Sequence, residues 1–268
     1  MKKQWIERKT PKYSTIAYLL HYSYFNEYPK NKEKFIWGIS SKYDEFRDRE
    51  ISALVTSFIY DGSRKSMKAV MEVDTLFKGS PLKWLAKKQH CSMILETDQD
   101  KVIYGKIDTK ALYYFFCDVY TLYSQYGSIY KRFQACTFDT LEENMETTFS
   151  ILSPFKGKSF EASNRRNMFM FLMAHCYNDY KVDEHQLVAP LFEMQLATCK
   201  TMGLISEKGK LSRETAAELT DNLRWFSEQH PLTFWVGIFA YQDAVRTKDK
   251  MVSKLHKMKL TRRKFNKR

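Results

Sequence analysis

Residues 164–177 read NRRNMFMFLMAHCY, and this stretch decides the fold class. Its first four residues are polar, and the run that follows is apolar on nearly every side of a helix. A helix that is apolar all round belongs in the interior of a protein. We therefore predict a central buried helix, with Phe169, Met170, Leu172 and Met173 shielded from solvent.

Further helices are predicted on both sides of this segment. Apolar residues in 48–59 recur at the i, i+3, i+4 spacing of one helical face. Other helices are expected at residues typical of helix starts, with Gly203 ending the one that starts at Pro190. These starts are Ser63, Asp108, Asp139, Pro190, Ser212 and Pro231. Only CSMILET, residues 91–97, resembles a strand, so the pattern predicts an all-α protein.

The totals agree with a helical fold of one or two units. The chain has 268 residues, enough for one large domain or two small lobes that share a core. Nine glycines and six prolines are few for an all-β protein, which uses many of both in turns.

The formal net charge of +13 is concentrated at the two ends of the chain. Residues 246–268 carry eleven Lys/Arg and one Asp, and residues 1–12 carry five Lys/Arg and one Glu. The remaining 13–245 has a net charge of −1. A basic segment of this kind is typical of contact with a polyanion, because each phosphate contact releases counterions.

Cysteine usage and hydropathy predict a cytoplasmic protein. The five cysteines are odd in number, scattered and mostly inside apolar segments, which is typical of buried free thiols in a reducing compartment. No apolar run reaches the roughly 20 residues that a bilayer span needs. The start, MKKQWIERKTPK, lacks the apolar core of a secretory signal.

The sequence lacks the common motifs of nucleotide and metal chemistry. It has no glycine-rich phosphate loop, no CxxC and no HExxH. His175 and Asp179 are at i, i+4, a spacing that can hold a metal, but a helix-end histidine beside a polar loop is the simpler interpretation. We predict no metal site and no cofactor.

Basic residues cluster at two predicted loop-to-helix junctions. One is DGSRK, residues 61–65, which contains Arg64 and Lys65. The other is KGKSFEASNRR, residues 156–166. Backbone amides at a helix start together with nearby lysine and arginine side chains can bind an anion. Solvated helix ends are the alternative interpretation of each junction.

Three groups of segments resemble the bacterial family named domain of unknown function 2400 (DUF2400), which is itself similar to the helix-hairpin-helix DNA glycosylases. DREISALVTSFIYDGSRKSM looks like the first signature of the family, and KIDTKALYYFFCDVYTLYSQYGSIYKRF looks like its middle. NRRNMFMFLMAH, APLFEMQLATCKTMGLI and AAELTDNLRWFSEQHPLTFWVGIFAY look like its C-terminal half, in the right order. The resemblance covers roughly residues 45–245 and is carried by the ordered set of motifs.

The resemblance implies a two-lobed all-helical domain, 1–245, with DNA across the cleft between the lobes. The central lobe is expected at about 48–163, and the other lobe is expected from the N-terminus plus about 164–245. Residues 246–268 form a basic tail. Glycosylases of this kind flip a base into the cleft and cut its bond to the sugar. Bifunctional members use a lysine as nucleophile and an aspartate that opens the next core helix.

On this alignment Asn164 occupies the lysine position and Phe192 occupies the aspartate position. An amide is not a nucleophile, and phenylalanine has no titratable group. Glu193 and Lys158 are the possible substitutes. The cysteine cluster of the iron–sulfur glycosylases is also missing, since no cysteine follows Cys199.

Three hypotheses on function follow. The first is a DNA-binding, glycosylase-like protein that has lost the standard catalytic pair and binds duplex or damaged DNA. The second is an active N-glycosylase or AP lyase that uses Glu193 and Lys158. The third is an RNA- or ribosome-associated helical protein. The residues predicted to contact nucleic acid are Arg64, Lys65, Lys156, Lys158, Arg165, Arg166, Arg262, Arg263 and Lys264.

Overall fold

The computed structural model describes residues 16–17, 19–21, 23–24, 35–87, 92, 94, 101–227 and 231–246, with side chains to 242. The first helices are α1 (Trp37–Ser40), α2 (Phe46–Ile59), α3 (Arg64–Thr75) and α4 (Pro81–Ala86). A hairpin of β1 (Val102–Tyr104) and β2 (Ile107–Asp108) follows. The remaining helices are α5 (Thr109–Tyr126), α6 (Ile129–Ala135), α7 (Leu141–Thr148), α8 (Phe160–Met170), α9 (Glu193–Met202), α10 (Arg213–Phe226) and α11 (Pro231–Arg246).

The described part of the chain is mostly helical, which confirms the all-α fold class. Its one sheet is the antiparallel β1–β2 hairpin, in which Val102 pairs with Asp108 and Tyr104 with Ile107. None of the described helices is long and apolar enough to cross a membrane.

The predicted central helix is α8, and it is buried as expected. Every residue from Met168 to Met173 has no exposed surface, and this range includes the four residues predicted to be shielded. Beyond Met170 the helix widens into a π-helix, Phe171–Cys176, and the N–H of Tyr177 donates to the carbonyl of Leu172 at 3.0 Å. The apolar faces of the surrounding helices pack on α8 and this π-helix.

Aromatic side chains make much of this packing. The Phe169 ring contacts Phe149 and Tyr180, with centroids 5.1 and 5.6 Å apart. Phe171 contacts Trp235 of α11 at 4.2 Å. Each large aromatic ring buries much apolar area, so these contacts fix how α11 and the 149–155 region pack against α8 and the π-helix.

Side-chain caps explain where several helices begin. The predicted caps Ser63, Asp108 and Ser212 each accept a hydrogen bond from the backbone N–H three residues later, which satisfies an otherwise unpaired donor. Ser159 caps α8 in the same way. Gly203 ends α9 with φ of 73°, the left-handed conformation that favours glycine.

Three predicted boundaries were wrong. Ser92 and Ile94 are helical, so the stretch 91–97 does not form the predicted strand where it is described. Thr140 rather than Asp139 caps α7, since its side chain accepts from Glu143. Helix α9 begins at Glu193 and not near Pro190, because tertiary hydrogen bonds hold the backbone of 189–192 outside the helix.

The buried apolar side chains form one cluster that draws on both predicted lobes. It includes Leu54, Phe116 and Phe155 from the range assigned to the central lobe, and Phe171 and Leu219 from the range assigned to the other. The division into lobes at 48–163 and 164–245 stays a prediction. Residues 247–268 of the basic tail lie outside the described residues.

Candidate functional site

Asn164 joins the central helix to the segment that precedes α9. Its side-chain Nδ2 donates to the Leu191 carbonyl at 3.0 Å, and its Oδ1 accepts from the Leu191 N–H at 2.8 Å. The side chain is buried, so both bonds form away from water. Asn164 therefore satisfies both polar groups of one buried backbone unit.

Two further bonds fix the same segment. The Ala189 N–H donates to Thr220 Oγ1 at 2.9 Å, and Trp235 Nε1 donates to the Pro190 carbonyl at 2.6 Å. Residues 189–191 are thus hydrogen-bonded to three different helices, α8, α10 and α11. This anchoring sets the position of the next residue, Phe192.

Phe192 is the N-cap residue of α9, and its ring is buried in an aromatic cluster. The ring lies edge-on to Tyr60 with centroids 5.3 Å apart, and 6.4 Å from Phe239. Its backbone N–H donates to Gln195 Oε1 at 3.3 Å, which is the half of a capping box that needs no polar side chain at the N-cap. Phe192 therefore packs as a core residue at the helix start.

Gly62 touches Phe192 from the turn between α2 and α3. A Cβ added at Gly62 would lie 2.7 Å from the Phe192 Cβ, and Gly62 has φ of 90°. Both the contact and the conformation favour glycine. The turn that directly precedes Arg64 and Lys65, the first residues of α3, therefore packs on the start of α9.

The structure thus brings the two positions of the expected catalytic pair together. Asn164 bonds to Leu191, and Phe192 is the next residue in the chain. Neither side chain offers an amine or a carboxylate, and both are engaged in packing or hydrogen bonds. The junction of Asn164, Leu191 and Phe192 is built as a structural support.

The suggested substitutes lie near this junction, and both are exposed. Glu193 is the first residue of α9, and Lys158 comes directly before Ser159, the cap of α8. Within the part of the chain that is described, no hydrogen bond or ion pair joins the two side chains. They lie at the starts of two different helices and are open to solvent.

The basic residues predicted to contact nucleic acid divide into two groups. Arg64, Lys65, Lys156 and Lys158 are exposed. Arg165 is engaged in contacts within the protein. It donates to the Pro154 carbonyl at 2.9 Å and forms an ion pair with Glu161 at 2.7 Å.

Arg166 was wrongly included among the candidates for phosphate contact. It is completely buried, and its Nη1 donates to the carbonyls of Phe155 and Gly157, the latter at 2.9 Å. Burial lowers the pKa of Arg166 from its usual range. The side chain fixes the loop that carries Lys156 and Lys158 and cannot reach a phosphate. The tail residues Arg262, Arg263 and Lys264 lie outside the described residues.

The histidine and aspartate at i, i+4 do not converge. His175 Nδ1 lies 3.1 Å from Glu184 Oε1, whereas the Asp179 carboxylate accepts from Arg49 Nε and Nη2, each at 2.8 Å. Among the described residues, no group of three His, Cys, Asp or Glu side chains is arranged to hold a metal ion.

Comparison with family models matches residues 38–241 to a family described as a protein of unknown function (DUF2400). This range is more than half of the chain. The chain belongs to the DUF2400 family. Neither a curated protein nor a solved structure matches it.

A polar network of this DUF2400 chain that was not predicted from the sequence lies beside the first basic junction. The Tyr104 hydroxyl of the β-hairpin donates to Asp61, and it lies 3.0 Å from Ser63 Oγ. Partial burial raises the pKa of Asp61, but hydrogen bonds from Ser66, Tyr104 and Ser63 outweigh it and leave the pKa below its ordinary value. The alternation and glycine turn in VIYGKID were the available signal.

This network joins the hairpin to the turn that directly precedes Arg64 and Lys65. The exposed Lys101 and Lys106 belong to the same hairpin region, so they lie on the side of the molecule that carries the first basic junction. The exposed positive charge around the first basic junction is therefore more extensive than the loop identified from the sequence.

Proposed function

We propose that this DUF2400 protein binds duplex or damaged DNA and does not cleave the bond between base and sugar. The observation that carries the second half of the proposal is the junction of Asn164, Leu191 and Phe192. The similarity to helix-hairpin-helix DNA glycosylases is part of the proposal, and it rests on the ordered sequence motifs.

Bifunctional catalysis of the kind found in those glycosylases needs an amine and a carboxylate at this junction, and hydrolytic release of the base still needs the carboxylate. The amine attacks the sugar and forms a Schiff base, and the carboxylate stabilises charge or moves a proton. The Asn164 amide cannot attack, and it is occupied by the Leu191 backbone. The Phe192 ring has no proton to move and is packed against Tyr60.

Support for DNA binding comes from exposed lysines at two helix starts beside the junction. Lys65 is in the first turn of α3, directly after the turn whose Gly62 contacts Phe192. Lys158 comes directly before the cap of α8. The unpaired N–H groups and the dipole of a helix start favour a phosphate, and the lysine side chains add full charges. The basic tail adds sequence-independent attraction.

Borohydride trapping tests the proposed loss of catalysis. The full chain is incubated with duplexes that contain an abasic site or 8-oxoguanine, reduced with borohydride and run on a denaturing gel. A bifunctional glycosylase serves as the positive control. We expect binding of the duplexes in a parallel titration, no trapped band and no release of base.

The exposure of Lys158 and Glu193 favours a second candidate function, an active glycosylase or lyase with a non-standard pair. A trapped band that disappears in Lys158→Ala would establish this function and reject the inactive one. Base release that depends on Glu193 without a trapped band would indicate a hydrolytic glycosylase, and Glu193→Gln distinguishes that case.

A further inference from the structure

Helix α5 presents an exposed aromatic side chain next to a lysine. Tyr114 is 56 % exposed and makes an edge contact with Tyr113, at 5.4 Å between ring centroids. Lys110 lies four residues earlier and is also exposed. Residues four apart lie on the same face of a helix, about 6 Å apart along its axis.

The loop that carries Lys156 and Lys158 packs against the same part of α5. Asp118, one turn after Tyr114, accepts from the Ser153 N–H at 2.9 Å and from Ser153 Oγ at 2.8 Å. The Phe155 ring stacks on Phe115 at 6.3 Å. Lys156 follows Phe155 directly, so its backbone is fixed close to the Tyr114 turn of the helix.

The lysines of this surface make no ion pair within the described part of the chain. The exposed lysines are Lys106 at the hairpin turn, Lys110, Lys156 and Lys158. None of the ion pairs among the described residues includes them. Asp108 and Asp118 lie nearby and offset part of this charge, but their carboxylates accept hydrogen bonds from Ala111 and Ser153, and the four lysines exceed them in number.

We infer that this lysine–tyrosine strip (Lys106, Lys110, Tyr114, Lys156 and Lys158) binds a single-stranded segment of DNA, with one unpaired base stacked on Tyr114. The inference rests on the proposed DNA binding and names the form of DNA that the strip accepts. Lysines along the strip hold the phosphates, and the exposed ring supplies the stacking surface that a base with no partner requires. A fully paired duplex offers no free base face and gains only the phosphate contacts.

The test measures binding of three labelled DNAs of one sequence to the full chain by fluorescence anisotropy. They are a single strand, a duplex with a one-base bulge, and a fully paired duplex. The bulged base is 2-aminopurine, whose fluorescence falls when it stacks. The variants are Tyr114→Ala and Tyr114→Phe, and Phe138→Ala is the matched control because Phe138 is 49 % exposed and lies in the segment between α6 and α7, which contributes no residue to the strip.

We expect Tyr114→Ala to weaken binding of the single strand and of the bulged duplex about tenfold, in the range that loss of one base–aromatic stack produces. Binding of the paired duplex should not change. Tyr114→Phe keeps the stacking ring, so it should bind like the unmodified protein and should keep the quenching of 2-aminopurine. Phe138→Ala should behave like the unmodified protein.

Each other outcome rejects the inference in a distinguishable way. If the unmodified protein binds DNA and Tyr114→Ala binds each of the three forms as tightly as the unmodified protein does, the strip is not the single-strand site. The proposed DNA binding then stands. If the protein binds none of the three DNAs, both proposals fail. If a single-stranded RNA of the same sequence binds at least tenfold more tightly and depends on Tyr114, the partner is RNA and the DNA assignment is wrong.

Discussion

Asn164 matters at the scale of a single residue because it pairs with both polar groups of the Leu191 backbone. Asn164→Ala removes both partners and leaves a buried N–H and a buried carbonyl unsatisfied. We expect the free energy of unfolding to fall by about 1–3 kcal/mol or more, since each such group has a cost of that order. Urea unfolding followed by circular dichroism measures this.

The exposed Gln186 supplies the control for this experiment. Gln186→Ala removes a side-chain amide from the surface and should change the free energy of unfolding by less than about 0.5 kcal/mol. Equal stabilities of the Asn164→Ala and Gln186→Ala proteins would show that the bonds to Leu191 do not contribute.

Gly62 provides a second prediction at this scale, and the chain contains a matched control. Gly62→Ala places a Cβ 2.7 Å from the Phe192 Cβ, whereas Gly79, which has almost the same φ (92° against 90°), has open space around the added atom. Both substitutions impose the strain of positive φ. Only Gly62→Ala also overpacks the aromatic cluster, which we expect to lower the free energy of unfolding by about 1–3 kcal/mol more than Gly79→Ala.

Thermal or urea unfolding of the two alanine variants gives this difference directly. Adding Phe192→Gly to Gly62→Ala tests its cause, because Phe192→Gly removes both the Cβ and the ring atoms that the new methyl group meets. If Gly62→Ala and Gly79→Ala lose the same stability, the turn is not seated on Phe192 as described.

Residue chemistry could be predicted from the sequence only where it depends on the residue itself. That Asn164 and Phe192 cannot form a catalytic pair follows from their side chains. That Asn164 bonds to Leu191, 27 positions away, depends on how the chain returns to α8. The same limit explains the error for Arg166, which looked like a surface cation and proved to be a buried donor to two carbonyls.

At the scale of secondary-structure elements, Glu50 of α2 joins three other parts of the fold. Its buried carboxylate accepts from the hydroxyls of Tyr123 in α5 and Tyr180 after the π-helix, and from the N–H groups of Ile129 and Tyr130 at 3.0 and 2.9 Å. The last two bonds satisfy free donors at the start of α6. Burial raises the pKa of Glu50 by more than these bonds lower it.

The raised pKa predicts a pH dependence of stability. Between about 4.5, the ordinary pKa, and its higher value in the folded state, the folded protein holds a proton on Glu50 that the unfolded chain has lost. The contribution of Glu50 to the free energy of unfolding is therefore fully present below pH 4.5. It declines as the pH rises through the folded-state pKa. Glu50→Gln does not titrate, so this decline should be absent from it.

Urea unfolding of both proteins from pH 4.5 to pH 8 isolates the effect, because other groups cancel in the difference. We expect the free energy of unfolding of the unmodified protein, minus that of Glu50→Gln, to decrease as the pH rises. A difference that stays constant across this range would mean that Glu50 has the same pKa in both states.

Elements were predictable where local sequence decides them. Ser63, Asp108 and Ser212 cap helices because their own side chains accept the bond, and the apolar run 168–173 is buried because no face of it is polar. The start of α9 was misplaced because a bond from Ala189 to Thr220 and one from Trp235 to Pro190, both between distant parts of the chain, hold residues 189–190 outside the helix. Propensity gives way to tertiary contacts at such positions.

At the scale of the whole molecule, the charge distribution separates a nearly neutral body from two basic ends. Residues 13–245 carry a net charge of −1. Exposed lysines on the body, such as Lys65 and Lys158, therefore contribute a local positive surface that acidic residues elsewhere balance. The ends add positive charge that one acidic residue in each offsets only in part, and this difference predicts separate roles in affinity and in placement.

The last prediction concerns the tail, residues 246–268, and rests on the proposed nucleic-acid binding. Deleting it removes eleven basic residues and one acidic residue. Since the slope of log K against log salt is about −0.9 for each duplex phosphate contact, the truncated protein should bind duplex DNA more weakly and with a flatter slope. A full-length variant with the tail lysines and arginines replaced by glutamine separates lost charge from lost length, and it should match the truncation.

Anisotropy titrations at several salt concentrations give the slopes for duplex DNA and for a structured RNA. An unchanged slope after truncation would place the phosphate contacts on the body, whereas a steeper tail-dependent slope and tighter binding for RNA would favour the RNA-associated function over DNA binding.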